Sequence, residues 1–268
     1  MSTSYDFRDR NARDGDTDHL QLGLLDTLDQ EDAGDRPRVR VSRRARRLSI
    51  RVYPDARVEV VAPPNARPRD IENFVATHRE WIDDKRAQAL RNRPTAQPFP
   101  PPGLELRCTQ EHFRLQLAGG SGAPRVSEMP ATGPDRVLKL AGAAEGRASR
   151  KALRAWLMRA ARERLEPRVA AVAAACGVQY ARVSIRRQRS RWGSCSARGT
   201  ISLNCCLLFQ RPEVVDYLIV HELTHVRHMN HSARFWQAVE KNCPAWRALD
   251  RELLQGWRHV PRWVFSDH

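Results

Sequence analysis

Apolar and polar side chains alternate along residues 47 to 62, and Pro54 with Asp55 marks a turn in the middle of this stretch. Pro63 and Pro64 then end the alternation. Because successive side chains of a strand point to opposite faces, the pattern predicts a β-hairpin with one apolar face. The opposite face of the hairpin is rich in arginine. The hairpin is therefore expected to bury one side and to present positive charge on the other.

Three stretches instead repeat their apolar residues at the period of an α-helix. They span residues 68 to 90, residues 149 to 176 and the mainly apolar run from 214 to 220. Gly177 is the expected C-cap of the second stretch, since glycine readily adopts the left-handed conformation that ends many helices. The third stretch is apolar on nearly every side, which is typical of a helix buried in a core.

Shorter apolar stretches bounded by Gly, Pro and Ser predict further strands, at residues 104–108, 113–117, 137–140, 182–185 and 200–203. Gly193 and Gly199 are expected to frame a turn that leads into the last of them. Together these elements predict an α+β fold. The predicted domains are a disordered acidic tail at residues 1–36, a small β-rich domain with one long helix at 37–145, and a mainly helical domain with a short sheet at 146–268.

Charge is distributed unevenly along the 268 residues. Residues 1 to 35 carry ten acidic side chains and three arginines, a net charge of −7 in a chain whose total is +15, so the remainder carries +22. A positive surface of this size attracts polyanions, nucleic acid above all. Arg187, Arg189, Arg191 and Trp192 are candidates for such a contact, because they combine positive charge with a stacking ring. An arginine-rich composition gives the same excess without a nucleic-acid partner, so both interpretations stay open.

The sequence also predicts the compartment. No stretch approaches the ~20 consecutive apolar residues of a membrane span, and the polar first residues lack the apolar core of a signal peptide. The six cysteines include no C-x-x-C pair, which indicates reduced thiols rather than a disulfide framework. We therefore expect a cytoplasmic protein with no membrane contact.

The run that follows the apolar stretch contains His221, Glu222 and His225 in the pattern H-E-x-x-H. On a helix this spacing turns both imidazoles to one face, one turn apart, with the carboxylate beside them. Two histidines at i and i+4 are the inner half of a zinc site, and a catalytic zinc needs a third protein ligand while it keeps one position open for water. The motif therefore predicts a metal site that lacks one ligand.

Three residues could complete the site: His228, His231 and Glu240. A metal held by His221 and His225 would lie level with the middle of this pair. If the helix continued, His228 would lie about 7.5 Å further along the helix axis, too far for its imidazole to reach the metal. His231 follows His221 by ten residues, the spacing at which the chain leaves the helix and returns a third ligand. His228 stands where that signature has glycine, so we expect Asn230 to supply the left-handed turn. His231 is the predicted third ligand.

The segments RWGSCS and ISLN, followed by DYLIVHELTHVRHMNHSARFW, resemble the YgjP-like metallopeptidase family, relatives of the SprT and Spartan-type zinc proteases. The likeness covers about residues 38 to 258 and leaves the acidic tail outside. It implies a zincin-like catalytic domain in which His221, His225 and His231 bind Zn²⁺ and Glu222 is the general base. Some relatives cleave proteins crosslinked to DNA, which makes DNA-associated proteins one possible class of substrate.

The site predicts hydrolysis of peptide bonds by a zinc-activated water, with Glu222 as the base. Tyr217, Arg191 or Asn204 is expected to help zinc stabilise the oxyanion, and Trp192 to contact substrate. The strand at 200–203 is expected beside the metal helix, where an extended peptide can pair with it. Two alternatives remain: a nucleic-acid-binding protein with a structural zinc, and a metal-dependent hydrolase of a non-peptide substrate. The acid beside a ligand favours an enzyme.

Overall fold

A computed structural model describes residues 37–53, 55–92, 97–129, 136–143 and 145–265. The acidic stretch at residues 1–36 lies outside them, so its predicted disorder stays a prediction. Contacts between residues divide the chain into two compact units, Met1–Arg91 and Asn92–His268. The fold is α+β, with small mixed sheets and six helices among the described residues, as the sequence predicts.

The first unit contains a three-stranded sheet with the order β1-β3-β2. Its strands are β1 (Arg38–Val41), β2 (Ser49–Val52) and β3 (Val58–Ala62). Strands β2 and β3 pair antiparallel, which confirms the predicted hairpin, and β1 joins β3 in parallel. The predicted long helix is two helices, α1 (Pro68–Thr77) and α2 (Arg79–Arg91), because His78 leaves the helical conformation between them. Ile50, Val60 and Ile82 form the small core of this unit.

The second unit begins with a four-stranded sheet of order β4-β5-β7-β6. Its strands are β4 (Gly103–Leu106), β5 (Glu111–Ala118), β6 (Arg125–Met129) and β7 (Arg136–Ala141). Three of them match predicted stretches. The sequence missed β6, whose one buried apolar side chain is Val126, so the strand shows no clear alternation.

The longest helix, α3 (Arg147–Cys176), ends at Gly177, which has the predicted left-handed conformation with φ 62°. It packs on β6, and Arg164 binds both Glu111 of β5 and Glu128 of β6. Burial alone would raise the pKa of Glu111, but hydrogen bonds from Arg164 and Thr109 lower it to about 2. The sheet and α3 share one core and one charge network, so the compact units divide after Arg91, whereas the predicted boundary follows residue 145.

A second small sheet has the order β8-β10-β9. Its strands are β8 (Arg182–Arg186), β9 (Gly193–Cys195) and β10 (Thr200–Asn204). The remaining elements are α4 (Pro212–Thr224), α5 (Ala233–Asn242), α6 (Trp246–Leu254) and three 3₁₀ segments at Cys205–Phe209, Gly256–His259 and Arg262–Val264. The predicted strand at 200–203 therefore lies in the centre of its sheet. The stretch expected to be a turn supplies β9, which lies at the edge.

Helix α4 lies at the centre of the second unit and packs against α3, α5, α6 and β9. Most of its residues are buried, as the apolar run from 214 to 220 predicts. Pro212 starts the helix, where the missing amide hydrogen of proline costs no hydrogen bond. Across the described part of the chain, the model has no helix with the length and apolar composition needed to span a bilayer.

Candidate metal centre

The first two candidate ligands project from the C-terminal end of α4. His221 and His225 are half-buried, and their ring centroids lie 5.0 Å apart, because residues four apart lie one above the other on a helix. The helix ends at Thr224, and His225 is its C-cap with φ −63° and ψ −20°. The second histidine therefore keeps a helical backbone and stays above the first, while the chain that follows is released from the helix.

His231 returns from the following loop to the same point. Its Nε2 lies 3.1 Å from Nε2 of His221, and one ring nitrogen of each of the three histidines lies within 4.8 Å of the others. Its side chain is exposed, unlike the other two. The predicted turn at Asn230 is wrong: among described residues other than glycine, positive φ occurs at Ala56 and Gln110. The chain turns instead because α4 ends early, with turn hydrogen bonds such as that from the His228 amide to Thr224 O.

These ring nitrogens fit a metal ion. Nδ1 of His225 donates to the carbonyl oxygen of His228 over 3.0 Å, which leaves the Nε2 lone pair of His225 for a ligand. In a tetrahedral site with metal–nitrogen bonds of about 2.0–2.1 Å, two ligand nitrogens lie about 3.3 Å apart. The Nε2 atoms of His221 and His231 are 3.1 Å apart, close to this value. Burial, with the neighbouring imidazoles, lowers the pKa of His221 well below its usual range and that of His225 to about 4. Both rings are therefore neutral at pH 7, the form that binds metal.

Aromatic side chains of α5 and α6 surround the three histidines. Phe235 is fully buried, and its ring centroid lies between 4.6 and 5.0 Å from each imidazole centroid. The ring of His231 stacks on Trp236 at 5.6 Å, and Trp236 stacks on Trp246 at 4.2 Å. The guanidinium of Arg247 lies 4.6 Å from the centre of the Trp246 ring. We call His231, Trp236, Trp246 and Arg247 the aromatic column; the sequence gives no sign of its last two members.

The carboxylate of Glu222 lies beside the histidines and is 4 % exposed. It faces β9, where a Cβ atom added to Gly193 would lie 2.6 Å from Glu222 Oε1 and 2.9 Å from its Cγ. Real Cβ atoms do not approach other atoms so closely. The strand next to the predicted base is thus β9, not the predicted β10.

The four residues predicted to contact substrate are mostly occupied within the fold. Asn204 is fully buried and donates both amide hydrogens to the carbonyl oxygens of Gln188 and Arg191, so it fixes the loop before β9. The Tyr217 hydroxyl donates to Asp250 Oδ1 over 2.7 Å. Burial, with the charge of Asp250, raises the pKa of Tyr217 above its usual range.

Trp192 is buried and stacks on Trp257 at 4.1 Å. Arg191 is half-buried and lies two residues before β9. Two of the three arginines considered for nucleic acid bind the C-terminal segment: Arg187 donates to Val264 O over 2.7 Å and Arg189 to Phe265 O over 3.0 Å. Arg187, Arg189 and Trp192 therefore have partners within the fold.

Two other ligand candidates lie outside the histidine cluster. His228 contributes its carbonyl oxygen to His225, and the carboxylate of Glu240 accepts a hydrogen bond from Arg247 over 2.6 Å. Among the described residues, the three histidines are the one group of His, Cys, Asp and Glu side chains arranged to hold a metal.

Of the comparisons with known proteins, the family match identifies the chain. The chain matches the family described as YgjP-like, metallopeptidase domain, over residues 46–255. A comparison with curated proteins gives no match. Among solved structures, the crystal structure of the metallopeptidase zymogen of Pyrococcus abyssi abylysin is similar at 27 % identity and a TM-score of 0.30, over 32 % of this chain and 88 % of that one. Since the family match spans most of the sequence, the chain belongs to the YgjP-like metallopeptidases and is a metal-dependent peptidase.

Proposed function

We propose that this metallopeptidase uses zinc, held by His221, His225 and His231, with Glu222 as the general base. The observation that carries the proposal is the cluster of three imidazoles beside a buried carboxylate on the same helix. Three protein ligands with one open position are typical of catalytic zinc, whereas a structural site is closed by four ligands, usually including Cys. This donor set favours an enzyme over a nucleic-acid-binding protein with a structural zinc.

Zinc held by the three histidines would supply Lewis-acid chemistry, which would activate a water near neutral pH and polarise the scissile carbonyl. Glu222 accepts a proton from the attacking water and later gives it to the leaving amine. The burial of Glu222 keeps bulk water away from the carboxylate, and the bond from His225 to the His228 carbonyl fixes the orientation of that ring.

We propose that the peptide substrate lies extended along β9. The strand lies at the edge of its sheet, with β10 as its partner on the other side, and it contacts α4. An edge strand offers backbone donors and acceptors to a peptide, which positions the scissile bond without a specific side chain. Of the predicted oxyanion helpers, Arg191 is the one we retain, because the hydroxyl of Tyr217 and the amide of Asn204 are engaged elsewhere.

The decisive experiment replaces Glu222 with Gln, which keeps the size of the side chain but cannot accept the proton. Glu222→Gln should retain zinc and the thermal stability of the wild type and lose peptide hydrolysis, a loss of at least ~10²-fold, the usual contribution of a general base. Proteins from a cell extract that wild type cuts and the variant does not would define the substrates. Cleavage at the wild-type rate would refute the proposed base.

The same pair of proteins addresses the other hydrolase interpretation. If neither cleaves any protein while wild type alone hydrolyses a small ester or phosphoester, the substrate is not a peptide. We favour peptides because an edge strand beside the carboxylate suits an extended backbone. DNA-associated proteins are a narrower proposal, which requires that the enzyme also bind nucleic acid.

The feature that favours nucleic acid is the loop between β1 and β2. We call its four exposed arginines, Arg43, Arg44, Arg46 and Arg47, the arginine loop. Four positive charges within five residues attract phosphates, and the binding weakens with salt as counterions are released. The association constant of the full chain for fluorescent double-stranded DNA should fall steeply between about 50 and 200 mM salt. Replacing the four arginines with Gln should remove most of this binding.

The matched control replaces Arg69, Arg79, Arg86 and Arg91 of α1 and α2 with Gln, which lowers the net charge equally. If both quadruple variants lose the same affinity, net charge is responsible and the arginine loop is not a binding site. If wild type shows no binding at low salt, nucleic acid is not a partner.

A further inference from the structure

Gly193 lies in a strand although glycine is unfavourable there, because it packs no side chain and loses much conformational freedom on folding. Its φ is not among the positive values, which occur at Gly120, Gly142, Gly146, Gly177 and Gly199 among the described glycines. Any residue could therefore adopt the backbone conformation of Gly193. In a strand interior, glycine often marks a place where another group approaches the backbone closely.

The group that approaches is the side chain of Glu222. An added Cβ would lie 2.6 Å from its Oε1, 2.9 Å from its Cγ and 3.0 Å from its Cδ. A clash with the terminal oxygen alone could be relieved by rotating the carboxylate. A clash with Cγ cannot, because this atom lies one bond beyond the Cβ and moves with the whole side chain. Glu222 is buried and has little room for such a movement.

Strand β9 is held from the other side. Gly193 is opposite Leu203 of β10 in the sheet, and the backbone N–H of Asn204 donates to the Trp192 carbonyl over 2.8 Å. Trp192 stacks on Trp257, while a Cβ on Gly256 would lie 2.6 Å from Gln210 Oε1 and 3.0 Å from Trp192. These contacts anchor β9 at Gly193 and at the residue before it. A side chain at position 193 would therefore displace Glu222 and leave the strand in place.

We propose that Gly193 is a positioning residue: the absence of its side chain sets the position of the Glu222 carboxylate relative to the metal ligands. This inference rests on the proposed role of Glu222 as base. Proton transfer requires heavy atoms about 2.6–3.2 Å apart, and a misplacement of about 1 Å can cost ~10²-fold in rate. The position of the Glu222 carboxylate thus depends on both α4, which carries it, and β9, which packs against it.

The kinetic test compares Gly193→Ala with Gly119→Ala, in which the added Cβ meets no atom within 4 Å. Gly193→Ala should keep about one zinc per chain and lower kcat by about 10²-fold with little change in KM, because the base is displaced. Gly119→Ala should match wild type. A Gly193→Ala enzyme that keeps its kcat, or loses activity through KM alone, would overturn the inference.

A double-mutant cycle measures the contact without any activity. Melting temperatures are recorded in chelator for wild type, Gly193→Ala, Glu222→Ala and the double variant. Gly193→Ala should lower the melting temperature when Glu222 is present and not when it is Ala, since the clashing atoms are gone. If Gly193→Ala alone fails to fold, the double variant should fold. Equal destabilisation in both backgrounds would refute the contact.

The two tests separate the inference from the proposed function. Full activity in Glu222→Gln would refute the base, while the stability cycle would still decide whether Gly193 positions that side chain. An inactive Glu222→Gln with a fully active Gly193→Ala would leave the proposed function standing and reject the inference.

Discussion

The two histidines of α4 and the histidine of the following loop reach the same point by different means. His221 and His225 lie on a helix whose other faces are buried, so backbone periodicity and the core fix them. His231 is exposed and belongs to residues 227–232, which have no regular secondary structure. Its ring is held by stacking on Trp236 and by its approach to His221. One side of the site is set by local sequence, and the other by packing between α5 and α6.

This difference predicts which histidines a given substitution affects. A change in the aromatic column should reach the metal through His231 and leave the helical pair in place. A substitution of Phe235, which contacts all three imidazoles, should affect the helical pair and His231 alike. The electrostatic contacts that join α4 to its neighbours should matter least, because burial already fixes the helix.

The largest effect is expected from removing ligands. His225→Ala and His231→Ala should each reduce zinc well below one ion per chain, measured by elemental analysis of purified protein. His228→Ala should retain zinc, since it keeps the carbonyl oxygen that His225 uses. Equal loss of zinc in His228→Ala and His231→Ala would contradict the choice of third ligand. In chelator, His225→Ala should also destabilise the fold more than His231→Ala, because the exposed loop residue contributes less packing.

Phe235 tests the part that both sides share. Phe235→Ala should lower the free energy of unfolding by about 3–5 kcal/mol, the cost of deleting a buried phenyl ring, and should loosen all three imidazoles. Urea unfolding in chelator would measure it. Phe99→Ala, which removes a partly buried ring elsewhere in the same unit, is the control and should cost less. An equal loss of unfolding free energy in the two variants would show that the packing of Phe235 against the imidazoles adds nothing beyond that of an ordinary partly buried ring.

Trp246 separates the two sides. Trp246→Leu removes the stacking behind Trp236 but keeps an apolar side chain, so zinc affinity should fall by about twofold to thirteenfold, from the roughly 0.5–1.5 kcal/mol of an aromatic pair. Trp263→Leu is a matched control: both tryptophans are buried, and neither indole nitrogen has a hydrogen-bond partner in the described structure. A competition titration with a chelating dye compares the two. An equal fall in both variants would show that the column does not support His231.

Periodicity predicts the parts of the fold and of the site that local sequence determines. The helical pair, the hairpin, and the end of α3 at Gly177 all follow from spacing and from the conformation of glycine. The spacing of ten residues also predicted which histidine returns to the cluster. The prediction of a left-handed turn at Asn230 is wrong. Because α4 already ends at Thr224, the chain can return to the cluster without a left-handed residue.

Elements that depend on distant partners could not be predicted. Strand β9 has three residues, Gly-Ser-Cys, and exists because it pairs with β10. Asn204 looked like a helper for catalysis, since the sequence does not show that its amide is buried and holds the loop before β9. Trp246 and Asp250 approach the site from α6, about twenty or more residues after the motif, and no local pattern marks them.

The smallest effect is expected at the ion pair that joins α4 to α3. Nε of Arg168 donates a hydrogen bond to Asp216 Oδ1 over 2.6 Å, and Nη2 donates one to Oδ2 over 2.8 Å. Both side chains are partly exposed. Solvent screens such pairs, so Asp216→Asn should lower the free energy of unfolding by about 1 kcal/mol or less and leave zinc affinity unchanged. Urea unfolding at low and at high salt would measure it, and the loss should shrink at high salt. A loss of several kcal/mol, or weaker zinc binding, would mean that this ion pair and not burial holds the helical side of the site.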